Sequence, residues 1–294
     1  MTVNERKYGR LATIINIYGE LPQKPIHLSA EITSEEPDFA AGKAILREQR
    51  LMIETENGEV AIPFLSAVAT EKRLPVILYL GFDGRIPNKY LPAEEVLDRG
   101  YSLFSLDLSR VSDINQDFKS GVAGKIARSR KKKNATGKIM LWTWSAIRMI
   151  EYISSLEYVD KDKIIVAGHG LAAICSMLCA VVQAEVKYAI ANDPYAPIGK
   201  GYQAMACEMP YLFSPEYATM PNVCPIDRTI DLLCGNGLLL GSAKDKPFSN
   251  RERELAAISR LDKDNSSYHQ RCGTEYFSRE DWNIYLDFLD KKLK

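Results

Sequence analysis

Two rhythms of hydrophobic and polar positions divide the chain. Residues 26–32 alternate apolar with polar, which predicts a half-buried strand, and the acidic segment Glu35, Glu36, Pro37 and Asp38 after it reads as a loop. Residues 50–64 alternate again around Asn57 and Gly58, the pattern of a β-hairpin with those two residues as its turn. From Leu74 onward, short apolar runs alternate with longer segments of helical period. Runs at 75–81, 101–107, 164–167, 186–191, 238–243 and 267–272 predict strands. Helices are predicted at 91–99, at 139–156, directly after Gly170, at 251–260 and at 279–293. Ser278 caps the last of these, with Asp281 where a capping box usually carries Glu or Gln. The Pro-rich stretch 194–228 reads as irregular. Strands alternating with helices imply an α/β protein with a mainly parallel, doubly wound sheet, helices on both faces and an N-terminal β-hairpin extension. No linker-like composition interrupts the pattern. One domain over residues 1–294 is expected, with 1–70 as the β extension and 71–294 as the core.

One junction stands out. The apolar residues Ile164, Ile165, Val166 and Ala167 end at Gly168 and lead at once into a helix of small apolar residues. A buried strand that turns sharply into a helix is the setting of the Gly-x-Ser-x-Gly nucleophile elbow, in which the Ser stands exposed at the tip. Here the frame reads Gly168, His169, Gly170, Leu171, Ala172, so Gly170 stands where that Ser would be.

Composition narrows the partners. Lys plus Arg and Asp plus Glu both number 38, which gives no global signal for nucleic acid or an anionic membrane. No apolar run approaches the length of a membrane span, and the first residues carry no signal-like apolar stretch, so a soluble cytoplasmic protein is expected. The six Cys include no C-x-x-C pair and no His at zinc spacing. Reduced structural thiols are expected, with no metal and no cofactor. His27, on the first predicted strand, reads as a half-buried strand residue. The run from Arg128 to Lys133 reads first as a solvated loop and second as a contact for an anion, an acidic glycan or nucleic acid. It lacks the interleaved aromatic residues of single-strand nucleic-acid binders.

The helix carrying Trp142 and Trp144, the Gly168 to Ala172 frame, the Asn192-Asp193-Pro194 loop and the ending from Tyr268 through Trp282 together resemble a known family. From about residue 50 onward the chain resembles the α/β-hydrolase carbohydrate esterases of the glucuronoyl esterase and acetylxylan esterase-like kind, relatives of dienelactone hydrolase. The resemblance implies the α/β-hydrolase fold and a cleft for a small carbohydrate or ester ligand. It also implies where the chemistry should lie. The nucleophilic Ser of the family falls on Gly170, the Arg that commonly follows it on Leu171, and a further Gly-Lys pair on Ala172 and Ala173. The catalytic His falls on Glu275, and the acid position on Asp245 or Asp193. The resemblance places Gly81, Phe82 and Asp83 on the oxyanion loop, and these join His169, Leu171 and Trp144 as expected cleft residues.

Acyl transfer by this route needs a nucleophile, a base and a group that orients the base. With Gly170 and Glu275 in the first two places, the expected function is that of a catalytically inactive or impaired relative, a pseudoenzyme. Two rival readings remain open: an ester hydrolase in which Glu275 and Asp245 activate water as a carboxylate pair, and a binding module built on the basic loop. His169 reads as packing beside the elbow, and His269, six residues before Glu275 on a strand, as too far away to replace the base.

Overall fold

The computed structural model describes residues 12–69, 72–114, 118–119, 121–127, 129–195, 199–209, 211–220, 222–233, 236–245 and 251–294. Arg128 of the basic run and Cys234 lie outside them. Strands β1 (His27–Asp38), β2 (Ala44–Thr55) and β3 (Gly58–Val68) form an antiparallel meander. The meander does not stand apart, because β3 pairs antiparallel with β5 (Ser102–Asp107) and continues the main sheet. Beyond β5 every pairing among the described residues is parallel, through β4 (Leu74–Gly81), β6 (Val159–His169), β7 (Val186–Asn192), β8 (Gly237–Asp245) and β9 (Ser267–Thr274). The order across the nine strands is β1-β2-β3-β5-β4-β6-β7-β8-β9. The mainly parallel sheet is the one that the alternation of strands and helices predicts, and its architecture is the α/β-hydrolase fold that the resemblance implies.

Four helices position the site: α1 (Ala93–Asp98), α2 (Lys138–Ser154), α3 (Leu171–Val182) and α4 (Arg279–Leu293). Successive strand residues point to opposite faces, so each parallel strand feeds two cores. Val76, Leu78, Leu80, Ile164 and Val166 pack with Trp142 and Ile147 of α2 and with Ile174 and Leu178 of α3. Ile77, Tyr79, Ile165, Ala167 and Ile190 face the other way, onto Val96 of α1 and onto Trp282, Leu286 and Leu289 of α4. A sheet covered on both faces demands continuous apolar runs, which is why β4 and β6 carry no alternation. Each of these buried aliphatic side chains contributes about 1.5–3 kcal/mol over an exposed one. The α4 capping box forms as expected, with the Asp281 N–H donating to Ser278 Oγ at 3.1 Å and the Ser278 N–H to Asp281 Oδ2 at 2.8 Å.

Three expectations need correction. The strand at 26–32 runs on to Asp38, because β2 offers a partner as far as Glu36↔Leu46, and Pro37 is tolerated on an edge strand. The hairpin turn is Glu56 and Asn57, not Asn57 and Gly58, since Thr55 pairs with Gly58. Gly58 (φ +100°) opens β3, and the Asn57 N–H donates to Thr55 Oγ1 at 3.2 Å. The stretch 194–228 contains two helices, Gly199–Glu208 and Pro225–Ile230, the second with Pro225 in its first turn, where a missing N–H costs nothing. No helix among the described residues is long and apolar enough to cross a membrane.

Candidate functional site at the strand-to-helix elbow

β6 hands over to α3 through Gly170, which adopts φ +61° and ψ −118°. That lies outside the ordinary regions for a residue with a Cβ, and it is the kind of strained turn that lifts a side chain clear of the strand end. Gly168 is required for a different reason: a Cβ there would collide with the Ala172 carbonyl, so only glycine lets α3 pack this close to β6. At Gly170 there is room. The atoms nearest to a Cβ there would be those of the Tyr195 phenol, at 3.7–3.9 Å. The side chain that the fold can accommodate here is absent, and the space it would enter faces a phenol.

Tyr195 also reaches the second expected catalytic position. Its Oη donates to Glu275 Oε1 at 3.2 Å, so Gly170 and Glu275 both lie beside the hydroxyl end of one tyrosine. Burial first, then the neighbouring Glu275 charge, push the Tyr195 phenol above its usual range, so it resides as a neutral donor. Glu275 Oε2 is shut off from solvent and has no hydrogen-bond partner among the described residues.

Beneath this pair lies a buried polar network at the ends of β6 to β9, where His169, Asn192, Gly241 and His269 form one row in register. Asp193 (φ +48°) is fully buried and accepts from Arg271, from the Ala243 N–H and from the Tyr276 N–H at 3.1 Å. Arg271 Nη1 also donates to Asp281 Oδ1 at 3.1 Å, and the same oxygen takes His269 Nε2 at 2.7 Å. Burial alone would raise the Asp281 carboxyl, but the bonds from His269 and Ser278 and the Arg271 charge outweigh it and hold it below its usual range. The Asn192 amide nitrogen faces three acceptors, His169 Nδ1 at 2.7 Å, Asp193 Oδ2 at 3.3 Å and Tyr276 O at 3.1 Å. This assigns the acceptor role to His169 Nδ1 and the ring proton to Nε2. Gly241 is obligatory in the row, since a Cβ would run into Tyr285 Oη and His269 Cε1.

Of the residues expected in the cleft, Gly81, Phe82, Asp83 and His169 come together with Tyr79, Leu80 and Tyr90 around a cavity of about 180 Å³. Asp83 is not free within it: Arg85 holds the carboxylate in two places, at 2.8 and 2.6 Å, and lowers its pKa. His169 rests against Tyr90, with ring centroids 5.1 Å apart, and against Phe277. Two expectations fail. Leu171 is buried in the α2–α3 core rather than lining a cleft. Trp144 is fully buried, with its indole N–H donating to Gln23 O at 3.0 Å; Trp142, two positions earlier on α2, is the tryptophan that meets Phe82, at 5.0 Å between centroids. Asp245 ends β8 as an exposed residue opposite Thr274, whereas Asp193 sits inside the network.

The basic run does not act as one charged surface. Arg130 lies over the rings of Phe118 and Tyr211, at 5.0 and 5.2 Å, and donates to Thr136 O at 2.7 Å and Phe213 O at 2.9 Å. Lys131, Lys132 and Lys133 remain exposed. Cys175, Cys179 and Cys224 are buried and form no disulfide, and burial pushes Cys175 up to about 12. No group of three metal-ligating side chains occurs among the described residues.

Sequence reasoning missed Tyr195 and Arg271. Tyr195 follows the Asn192-Asp193-Pro194 loop at the C-terminal end of β7, the edge where ligands gather in such sheets, and that placement was available as a signal. Arg271 carried none, because its two carboxylate partners lie 78 and 10 residues away.

No family model matches the chain, and no curated protein matches it either. Solved structures do. A glucuronoyl esterase from Solibacter usitatus superposes with a TM-score of 0.84 at 20% identity, covering 99% of this chain and 92% of its own. A CE15 glucuronoyl esterase from Teredinibacter turnerae gives 0.83 at 13% identity, covering 99% and 85%. The glucuronoyl esterase of Sporotrichum thermophile gives 0.70 at 12%, covering 100% and 85%. The chain therefore has the α/β-hydrolase fold of these carbohydrate esterases over essentially its whole length.

Proposed function

We propose that this protein is a relative of the carbohydrate esterases that binds a small carbohydrate or carbohydrate ester at the elbow and does not carry out serine-type ester hydrolysis. The observation that carries this reading is Gly170: it holds the strained elbow conformation and has space for a side chain, yet presents none. Its nearest candidate substitute, the Tyr195 phenol, is made a poorer nucleophile by burial and by the Glu275 charge. Glu275 in the base position cannot take a proton from a serine that is not there. In serine hydrolases, loss of nucleophile or base lowers kcat on the order of 10⁶-fold, so turnover should fall to the level of the remaining hydrogen-bond donors. The ligand class is suggested by the fold neighbours, one of which, a variant of the Sporotrichum thermophile esterase, was solved with methyl 4-O-methyl-β-D-glucopyranuronate.

The rival carboxylate-pair hydrolase fares worse, since Asp245 is exposed while Glu275 is bonded to Tyr195 beside Gly170. The test is hydrolysis of a small activated acetate ester and of a methyl glucuronate ester. The protein itself should show no turnover, and Gly170→Ser combined with Glu275→His should gain it. Turnover by the unaltered protein that disappears in Glu275→Ala would overturn the reading.

A further inference from the structure

Glu275 makes a demand that the described residues leave unmet. One carboxylate oxygen accepts from Tyr195, while Oε2 is buried and has no donor among them. Buried polar atoms without partners are rare in folded proteins, and an ionised one is costlier than a neutral one. The neighbouring cation does not relieve it. Arg271, the guanidinium of the adjoining network, is already divided between Asp193 and Asp281. The next residue along the chain, Tyr276, spends its own N–H on Asp193. The network and its neighbour Glu275 thus hold three carboxylates, Asp193, Glu275 and Asp281, against the one guanidinium of Arg271, while across the cavity Arg85 balances Asp83 and Lys89 lies over the Tyr90 ring.

We propose that Glu275 is a specificity-determining residue: it makes the elbow accept an uncharged, hydroxyl-bearing sugar or sugar ester and reject the corresponding free uronate. The inference rests on the reading of the elbow as a carbohydrate-ester site. A ligand hydroxyl that reaches Oε2 donates to a carboxylate oxygen that none of the described residues occupies, and hydrogen bonds to carboxylates are among the strong ones. A free uronate carries a further carboxylate towards Glu275 and a network in which carboxylates outnumber guanidinium groups, where low dielectric strengthens repulsion. Esterification removes that charge and leaves the ring hydroxyls unchanged. An ester and its acid therefore separate the two effects.

The experiment is calorimetric titration of the full chain, at neutral pH, with methyl (methyl α-D-glucopyranosid)uronate and with sodium methyl α-D-glucopyranosiduronate. On the unaltered protein the ester should bind at least about tenfold more tightly than the acid. Glu275→Gln should bring the two within about threefold, chiefly by tightening the acid. Glu275→Asp keeps the charge and should keep the preference for the ester. Equal affinities on the unaltered protein, or a ratio that Glu275→Gln leaves unchanged, would overturn the inference alone. Failure of both probes to bind would overturn it together with the assignment of a carbohydrate-ester site. Release of methanol from the ester during the titration would overturn the absence of hydrolysis and leave the selectivity standing.

Discussion

At the scale of single residues, the elbow shows what glycine in place of a larger residue does to the local energetics. A side chain at φ +61° and ψ −118° costs about 1–3 kcal/mol, which active enzymes carry because the nucleophile must stand clear of the strand. Glycine avoids that penalty, since it has no Cβ to clash with the backbone. Space is not limiting, because the nearest atoms to an added methyl group would be those of Tyr195 at 3.7 Å or more. Gly170→Ala should therefore lower stability by about 1–3 kcal/mol through backbone strain alone, read as a shift of the urea midpoint at constant slope. An alanine variant as stable as the parent would show that the turn relaxes and that glycine confers no advantage there. Gly170 was legible in the sequence as the elbow residue because its flanking strand and helix are local. What faces it was not legible, since Tyr195 arrives from a separate loop 25 residues later.

At the scale of elements, the strands and helices of the parallel half were readable because burial on both faces writes continuous apolar runs, and Gly168 marks the crossing of β6 with α3. The meander was read less well. The length of β1 is decided by its pairing with β2, and Pro37 and the acidic residues beside it carry no local signal of that partner. The basic run failed as a charge motif for a related reason: Arg130 is chosen by tertiary partners, two rings and two carbonyls, while the lysines beside it are solvated. It ties the loop that precedes α2 to the segment containing Tyr211 and Phe213. Removing its guanidinium leaves two carbonyls without a charged donor. Arg130→Ala should cost about 1.5–3 kcal/mol, whereas Lys131→Ala and Lys132→Ala should change stability by no more than about 0.5 kcal/mol. Chemical denaturation of the three variants side by side decides it: equal small effects would mean that the placement of Arg130 is incidental.

At the scale of the whole molecule, the network under α4 joins elements that the sequence shows only as separate. His269 and Arg271 of β9, Asp193 after β7 and Asp281 in the first turn of α4 lock the last helix onto the sheet end that carries the elbow. Ser278 and Asp281 were readable as a cap, yet the same carboxylate also serves as the network's anchor, a role visible only once β9 lies beneath it. This has a pH signature with a definite sign. The Asp281 pKa is lower in the folded protein than the unfolded value of about 3.9, so the unfolded chain binds more protons through the acid range. The stabilisation is fully present above the unfolded pKa and is lost as pH falls through the lower folded value. Asp281→Asn should thus be less stable than the parent by about 1–3 kcal/mol near neutrality, and the gap should narrow as pH drops below about 4. Urea midpoints of both proteins near neutrality and in acid test this directly. A gap that stays constant with pH would mean that Asp281 contributes by hydrogen-bond geometry rather than by charge, and that the network holds α4 in place without help from ionisation.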